Sequence, residues 1–255
     1  MLLLFACRAT MSSDAEGMGD PTAAWNSVLG LVVTPEGLVD YDRLERNRQA
    51  LDEYVAWVGT PKAVPGRPDE RLAFSLNAYN ALVLFAVLED GRPASVHDVP
   101  GRLFSKPGAG FFVERQFAVG NDLLSLYELE HERIRGRSQD YRVHGALNCA
   151  SRSCPPLGSE LFTGADLDAQ LDVAMRRFVE DPERGVTVEE GTAVFSPIFD
   201  WYARDFTVWT VGKDLCAVAA KHARGPLASD LSALSKQGCP HRFRAYDWSL
   251  NDASR

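Results

Sequence analysis

The sequence predicts an α+β fold, mostly helical, in a single domain around a small antiparallel sheet. Three observations carry that expectation. Apolar residues recur mainly at helical spacing, the short runs that read as strands flank glycine turns, and helices and strands do not alternate as repeated units. The chain has 255 residues, enough for a substantial core, and 45% of them are hydrophobic, 10% aromatic and 24% charged, an ordinary soluble composition.

Residues 21–31 read as a first helix, followed by a turn at Pro35-Glu36-Gly37. Leu44, Leu51, Tyr54, Val55 and Val58 then recur at helical spacing over 41–58, and Gly59 with Pro61 ends that helix. The segment 61–68 is a proline-bearing loop. The next helix, 70–89, is apolar on nearly every face and therefore expected at the centre, stopped by Asp90-Gly91 and Pro93. Residues 111–113 and 116–119 read as paired strands, the second closing at Gly120-Asn121. Ser125 with Glu128 fits a capping box that launches a helix to about residue 135. Residues 143–148 read as a buried strand delivering Cys149 to its end, and Thr163 with Asp166 caps a helix through residue 179. Residues 186–188 and 192–195 flank Glu189-Glu190-Gly191 as a hairpin, and 199–206 and 215–223 read as helices. His97 and His222 read as surface groups, and the aromatic, polar tail 239–251 packs back onto the body.

Residues 1–20 stand apart. Met1-Leu-Leu-Leu-Phe-Ala-Cys7 has the small-residue-then-cysteine ending of a lipoprotein export segment, although it is short and lacks a basic start. Cys7 would then be a lipidated membrane tether, and Ser, Gly and Asp residues to about Asp20 a flexible link to one domain over 21–255. The location expected on this reading is the cell envelope, an oxidising place where Cys216 and Cys239 could pair. The net charge of −8 argues against a nucleic-acid partner, and no uninterrupted run of eighteen apolar residues is present.

The densest chemistry lies in His144-Gly-Ala-Leu-Asn148-Cys149-Ala-Ser-Arg-Ser-Cys154-Pro155. Thiol and imidazole titrate near neutrality, so a cysteine nucleophile with a histidine base is one expectation. His144 and Cys149 would face opposite sides of a regular strand, which favours His131 as base, or Cys154 as nucleophile at a helix start before Pro155. Glu130 or Asp205 would orient the base, and Asn77 or Asn148 would polarise a carbonyl. Asn77 and Asn80, three apart on one helix, either tie it to a neighbouring loop or hold the reactive loop or a substrate. Three other readings stay open: a Cys149–Cys154 disulfide, a zinc site of His131, His144, Cys149 and Cys154, or buried groups without reactivity.

Five ordered motifs resemble one family, domain of unknown function 547. They are Asn77-Ala-Tyr79-Asn80-Ala81, Ser125 to Glu130-His131, His144 through Cys154-Pro155, Phe199-Asp-Trp201-Tyr202 to Asp205-Phe206, and Tyr246-Asp247-Trp248-Ser-Leu-Asn251. The resemblance runs from about Val39 to Asn251 and marks Asn77, Asn80, Glu130, His131, His144, Cys149, Cys154, Trp201, Asp205 and Asp247 as signature positions. Many bacterial members are exported, which agrees with the lipoprotein reading. Likeness to papain-like or transglutaminase-like thiol hydrolases is an analogy of residue types, since in those groups the cysteine precedes the histidine.

The expected function is a cysteine-dependent hydrolase or acyl transferase, acting on an amide or thioester of a small-molecule or peptide substrate in the cell envelope, without a cofactor. Cys149 or Cys154 would attack, His131 or His144 act as base, and Asn77, Asn80, Asn148, Trp201, Asp205 and Asp247 bind or polarise. The alternatives are a binding or scaffold module with a disulfide-braced polar pocket, and a zinc-binding hydrolase.

Overall fold

The computed structural model describes residues 20–103 and 106–254, so the expected tether at Cys7 lies outside the described residues. Helix α1 spans Thr22–Val32, α2 Tyr41–Arg46 and α3 Arg48–Val58. The single helix expected over 41–58 is broken at Asn47, whose side-chain amide donates to the Arg43 carbonyl at 2.8 Å and competes with the helical ladder.

Helix α4, Pro68–Glu89, starts with proline in its first turn, where a missing N–H costs nothing, and carries Asp69 and Glu70 against the positive end of the dipole. By length and composition it could cross a membrane, but most of its surface is covered by the rest of the protein. Trp25 on α1 stacks on Tyr54 of α3, which meets Trp57, and Trp57 meets Phe74 of α4 edge-on.

The first expected strand is absent: Gly110–Glu114 forms a π-turn. Strand β1, Phe117–Val119, instead pairs antiparallel with β2, Asp122–Leu124, across the turn read at Gly120-Asn121. The Ser125 capping box is present and starts α5, Leu126–Glu128, which continues as a π-wound stretch, Leu129–Arg135, into α6, Gly136–Ser138. Residues 143–148 are not a strand either. Tyr141–Gly145 is a 3₁₀ turn capped by Asp140, whose carboxylate accepts from the Arg142 N–H at 2.9 Å.

Helix α7, Leu167–Glu180, joins two cores. Leu167 and Leu171 belong to the core of α1 to α4, and Met175 and Phe178 to a second core around the sheet. That sheet has β3, Val186–Glu189, antiparallel to β4, Thr192–Phe195, as the hairpin reading expects, and β5, His241–Phe243, added parallel to β4. The protein is thus α+β with one small antiparallel pair and one mixed sheet. Helices α8, Ile198–Trp201, and α9, Ala203–Val208, replace the expected continuous helix, with the break at Tyr202. Helices α10, Leu215–His222, and α11, Gly225–Ser235, pack together and are tied to the sheet side by a Cys216–Cys239 disulfide.

The C-terminal tail lies against the segment after α4 and the cysteine loop. Leu250 N–H donates to the Ala94 carbonyl, Asn251 N–H to that of Ala150, and Arg152 N–H to that of Ser249.

His222 is not the surface group expected but is 4% exposed, with Nε2 2.8 Å from the Tyr141 hydroxyl. Burial pushes its pKa down from 6.5 to about 4, with the Lys221 ammonium adding to the effect and the Asp172 carboxylate opposing it. The folded state therefore resists a proton that the unfolded chain accepts below pH 6.5. Stability is expected to fall as pH drops from 6.5 to about 4, by about 2 kcal/mol after discounting for solvent screening, and this contribution levels off below. Thermal melts of wild type and His222→Gln at stepped pH check this; a wild-type slope no steeper than the variant's would refute it.

Candidate functional site

Cys149 and Cys154 lie at the two ends of a loop whose shape is set by Asn148. Its Oδ1 accepts from Ala150 N–H at 2.9 Å and from Asn251 Nδ2 at 3.0 Å, while its Nδ2 donates to the Pro155 carbonyl at 2.8 Å. Ala150 is held at φ +62°, a conformation that costs a non-glycine residue about 1 kcal/mol or more and needs such bracing. The loop brings the two Cα atoms to 6.0 Å, and the sulfurs are joined as a disulfide.

Asn77 and Asn80 work from below. Asn77 exchanges two hydrogen bonds with the backbone of Phe162, at 2.8 and 2.9 Å. Asn80 donates to the Ala146 carbonyl at 2.9 Å and accepts from Asn148 N–H at 3.0 Å. Asn77 thus ties α4 to a neighbouring loop, and Asn80 holds the backbone that leads into the cysteine loop. Like Asn148, they have their amides engaged by the protein and do not line the cavity above the disulfide. The Asp247 carboxylate does not line the cavity either: it accepts from the Ser249 hydroxyl at 2.6 Å, which chiefly holds its pKa below the usual carboxylate range, and from Ser249 N–H at 2.9 Å.

Above the disulfide opens a cavity of about 430 Å³. Its wall brings together Cys149, Cys154, His131, His144, Glu130 and Trp201, six of the positions expected from the sequence. Tyr79, Tyr202, Tyr246 and Trp248 complete much of the remaining surface. The π-wound stretch supplies Glu130 and His131, a placement common where π-turns serve a site. Glu130 accepts from the Tyr202 hydroxyl at 2.7 Å. Burial raises the pKa of Tyr202 and of Tyr79, and the nearby Glu130 charge adds to both.

His131 Nδ1 lies 3.1 Å from the Tyr127 carbonyl, and its ring stacks on Tyr127 with centroids 3.9 Å apart. A carbonyl only accepts, so Nδ1 carries the proton and Nε2 of the neutral ring keeps its lone pair. Burial lowers the pKa of His131, favouring that neutral form.

His144 is differently employed. Its Nε2 donates to Asp205 Oδ2 at 2.8 Å, and Arg135 donates to the same oxygen, also at 2.8 Å from Nε. Burial alone would raise the Asp205 pKa, but the hydrogen bonds from His144 and Arg135 hold it below the usual value. The Arg135 guanidinium also lies over the Tyr202 ring, 4.5 Å from its centroid. Asp205 therefore orients His144 rather than His131.

Tyr246 is the largest addition to the expected set. Its hydroxyl is 3.3 Å from each sulfur, and Ser151 Oγ is 3.1 Å from Cys149 Sγ and 3.4 Å from Cys154 Sγ. Trp201, Tyr246 and Trp248 pack into one aromatic group at the mouth, with the two indoles stacked at 5.6 Å, and His97 lies flat on Trp248 at 3.6 Å. The aromatic, polar character of the tail signals that it packs back onto the body; no local pattern points to the contact of one hydroxyl with both sulfurs.

Pro155 does not open a helix, so Cys154 is not at a helix start. Among the described residues, the group with ligand atoms close enough to hold a metal is Asp214, Cys216 and Cys239, away from this cavity and with both cysteines bridged.

The arrangement defines a class: an α+β protein with an aromatic cavity floored by a disulfide and edged by a carboxylate and three imidazoles, His97, His131 and His144. Residues 66–179 match the family model described as protein of unknown function, DUF547. The match includes Asn77, Glu130, His131, His144 and both cysteines of the loop, while Trp201, Asp205 and the tail lie beyond it. No curated protein and no solved structure matches the chain.

Proposed function

We propose that this protein is a binding module for a small molecule or peptide side chain of mainly apolar, aromatic-compatible character. The observation that supports this best is the cavity of about 430 Å³ whose mouth is a cluster of Trp201, Tyr246 and Trp248. A pocket of that size with a few convergent polar groups is the usual form of a small-ligand site. The Cys149–Cys154 bridge serves as a rigid wall, and Glu130 and His131 supply the polar contacts that select among ligands. Two disulfides suit an oxidising compartment, which supports a place in the cell envelope.

The neutral dye phenylnaphthylamine tests the reading. Its fluorescence is expected to rise saturably with native protein, and Trp201→Ala, at a half-exposed position, to weaken it about tenfold, roughly 1.4 kcal/mol. Absence of saturable binding, or equal affinity of the variant, would remove the support.

A second reading has one specific observation in its favour. Both loop cysteines, His131, His144 and Glu130 face one cavity, the set a cysteine hydrolase or acyl transferase of amides or thioesters needs. That activity, or zinc binding by the same thiols, would require the bridge to be reduced first, because a sulfur in a disulfide is neither nucleophile nor thiolate ligand.

A further inference from the structure

The two disulfides sit in different surroundings. Cys216 and Cys239 are 0% and 3% exposed inside the second core, with an Asp214 carboxylate oxygen within 4.8 Å of both sulfurs. The Cys149–Cys154 bridge lies on the wall of the aromatic cavity, with Cys154 buried and Cys149 half-buried. A thiol entering the cavity therefore reaches Cys149, whereas Cys216 and Cys239 do not line it.

The polar contacts are also unequal. The Tyr246 and Ser151 hydroxyls touch both sulfurs, but the Cys149 backbone N–H is aimed at Cys154 Sγ alone, at 2.8 Å. A fixed N–H stabilises negative charge on the sulfur it faces, so Cys154 is the better thiolate to expel. His131, neutral with Nε2 unprotonated, lines the same cavity and can take up a proton.

We propose that Cys149–Cys154 is an exchanging disulfide that oxidises thiols of apolar or aromatic body, with Cys149 attacked and Cys154 expelled. His131 accepts the proton of the first thiol. The resulting thiolate forms a bond to Cys149 Sγ as the Cys149–Cys154 bond breaks, and the electron pair of that bond stays on Cys154. A second thiol, or the second sulfur of a dithiol, then attacks the incoming group's sulfur in the mixed disulfide and displaces Cys149 as thiolate. The two thiol protons end on Cys149 and Cys154, so two thiols become one disulfide and the protein disulfide becomes a dithiol, with no further reagent. This goes beyond ligand binding: only the preference for apolar thiols rests on that reading, and dye binding can fail while exchange persists.

The native, unreduced full chain is treated with benzyl mercaptan and, in parallel, with glutathione. Samples are quenched in acid, alkylated with N-ethylmaleimide and mapped as peptides by mass spectrometry. The expected result is opening of Cys149–Cys154 at least about tenfold faster than Cys216–Cys239, faster with benzyl mercaptan than with glutathione, and with the mixed disulfide on Cys149. Tyr246→Phe, which keeps the ring, is expected to slow opening about threefold or more by removing one donor to the departing sulfur. Equal rates for the two bridges, opening only in denaturant, or an adduct on Cys154 would overturn the proposal.

Discussion

Asp205→Ala is expected to destabilise the protein by about 3–5 kcal/mol, the usual cost of removing one partner from a buried ion pair. Asp205 is 4% exposed and is the shared acceptor of two donors: Arg135 and His144 both bond its Oδ2 at 2.8 Å. Alanine would leave the guanidinium without its counter-charge under the Tyr202 ring and leave the buried His144 N–H without an acceptor. Asp205→Asn keeps an acceptor oxygen but not the charge, so it should lose less. The contribution also has a pH sign. The folded pKa of Asp205 is lowered, so its stabilisation is present above the ordinary carboxylate value and is lost as pH falls through the folded one. Urea unfolding at pH 7 measures the first claim; a loss below about 1 kcal/mol for Asp205→Ala would show that solvent replaces the carboxylate and that the triad is not a buried network.

Which parts of this structure were legible in the sequence follows from how local their causes are. Helix α4 announced itself through fourteen buried residues that leave it almost no wet face, and the Ser125–Glu128 capping box through two side chains three apart. The β3–β4 hairpin was readable because Glu189-Glu190-Gly191 separates two short strand-like runs, and in the structure Glu190 and Gly191 take the positive φ such a turn needs. The segments misread were short apolar runs whose state is chosen from outside. Phe111 is fully buried, which suits a strand and a π-turn equally. Residues 143–148 follow Asp140 into a 3₁₀ turn and are then pinned by Asn80, 66 and 68 residues away in sequence, a contact no window along the chain contains. Pro155 suggested a helix start, but Pro156 follows it, and a residue before proline is pushed out of the helical region.

The site divides in the same way. Residue type was enough to single out Cys149, Cys154, His131, His144 and Glu130, and these do converge on one cavity. Which group serves which partner was not readable, because it depends on tertiary pairing. Asp205 pairs with His144 and Arg135, His131 with the backbone of its own helix, and the polar asparagines with loop backbone instead of the cavity.

Phe199→Ala is expected to cost about 3–5 kcal/mol, the range for truncating a fully buried phenylalanine. Phe199 is 0% exposed and packs on Phe178, Phe195 and Phe206 with centroids at 5.5, 5.1 and 4.5 Å, so it touches α7, β4 and α9 at once. Its importance reaches the cavity because α8 has four residues and α9 six, lengths at which a helix has no stability of its own. Trp201, Tyr202 and Asp205 therefore owe their positions to this ring more than to any propensity. Phe199→Leu keeps most of the buried volume and should lose no more than about 1.5 kcal/mol. Urea midpoints for the two variants separate the volume effect from the ring, and dye titration well below the transition reads the cavity. If Phe199→Ala is strongly destabilised yet binds the dye with wild-type affinity while folded, the aromatic mouth is positioned by the C-terminal tail through Tyr246 and Trp248, and the second core supports the fold without shaping the site.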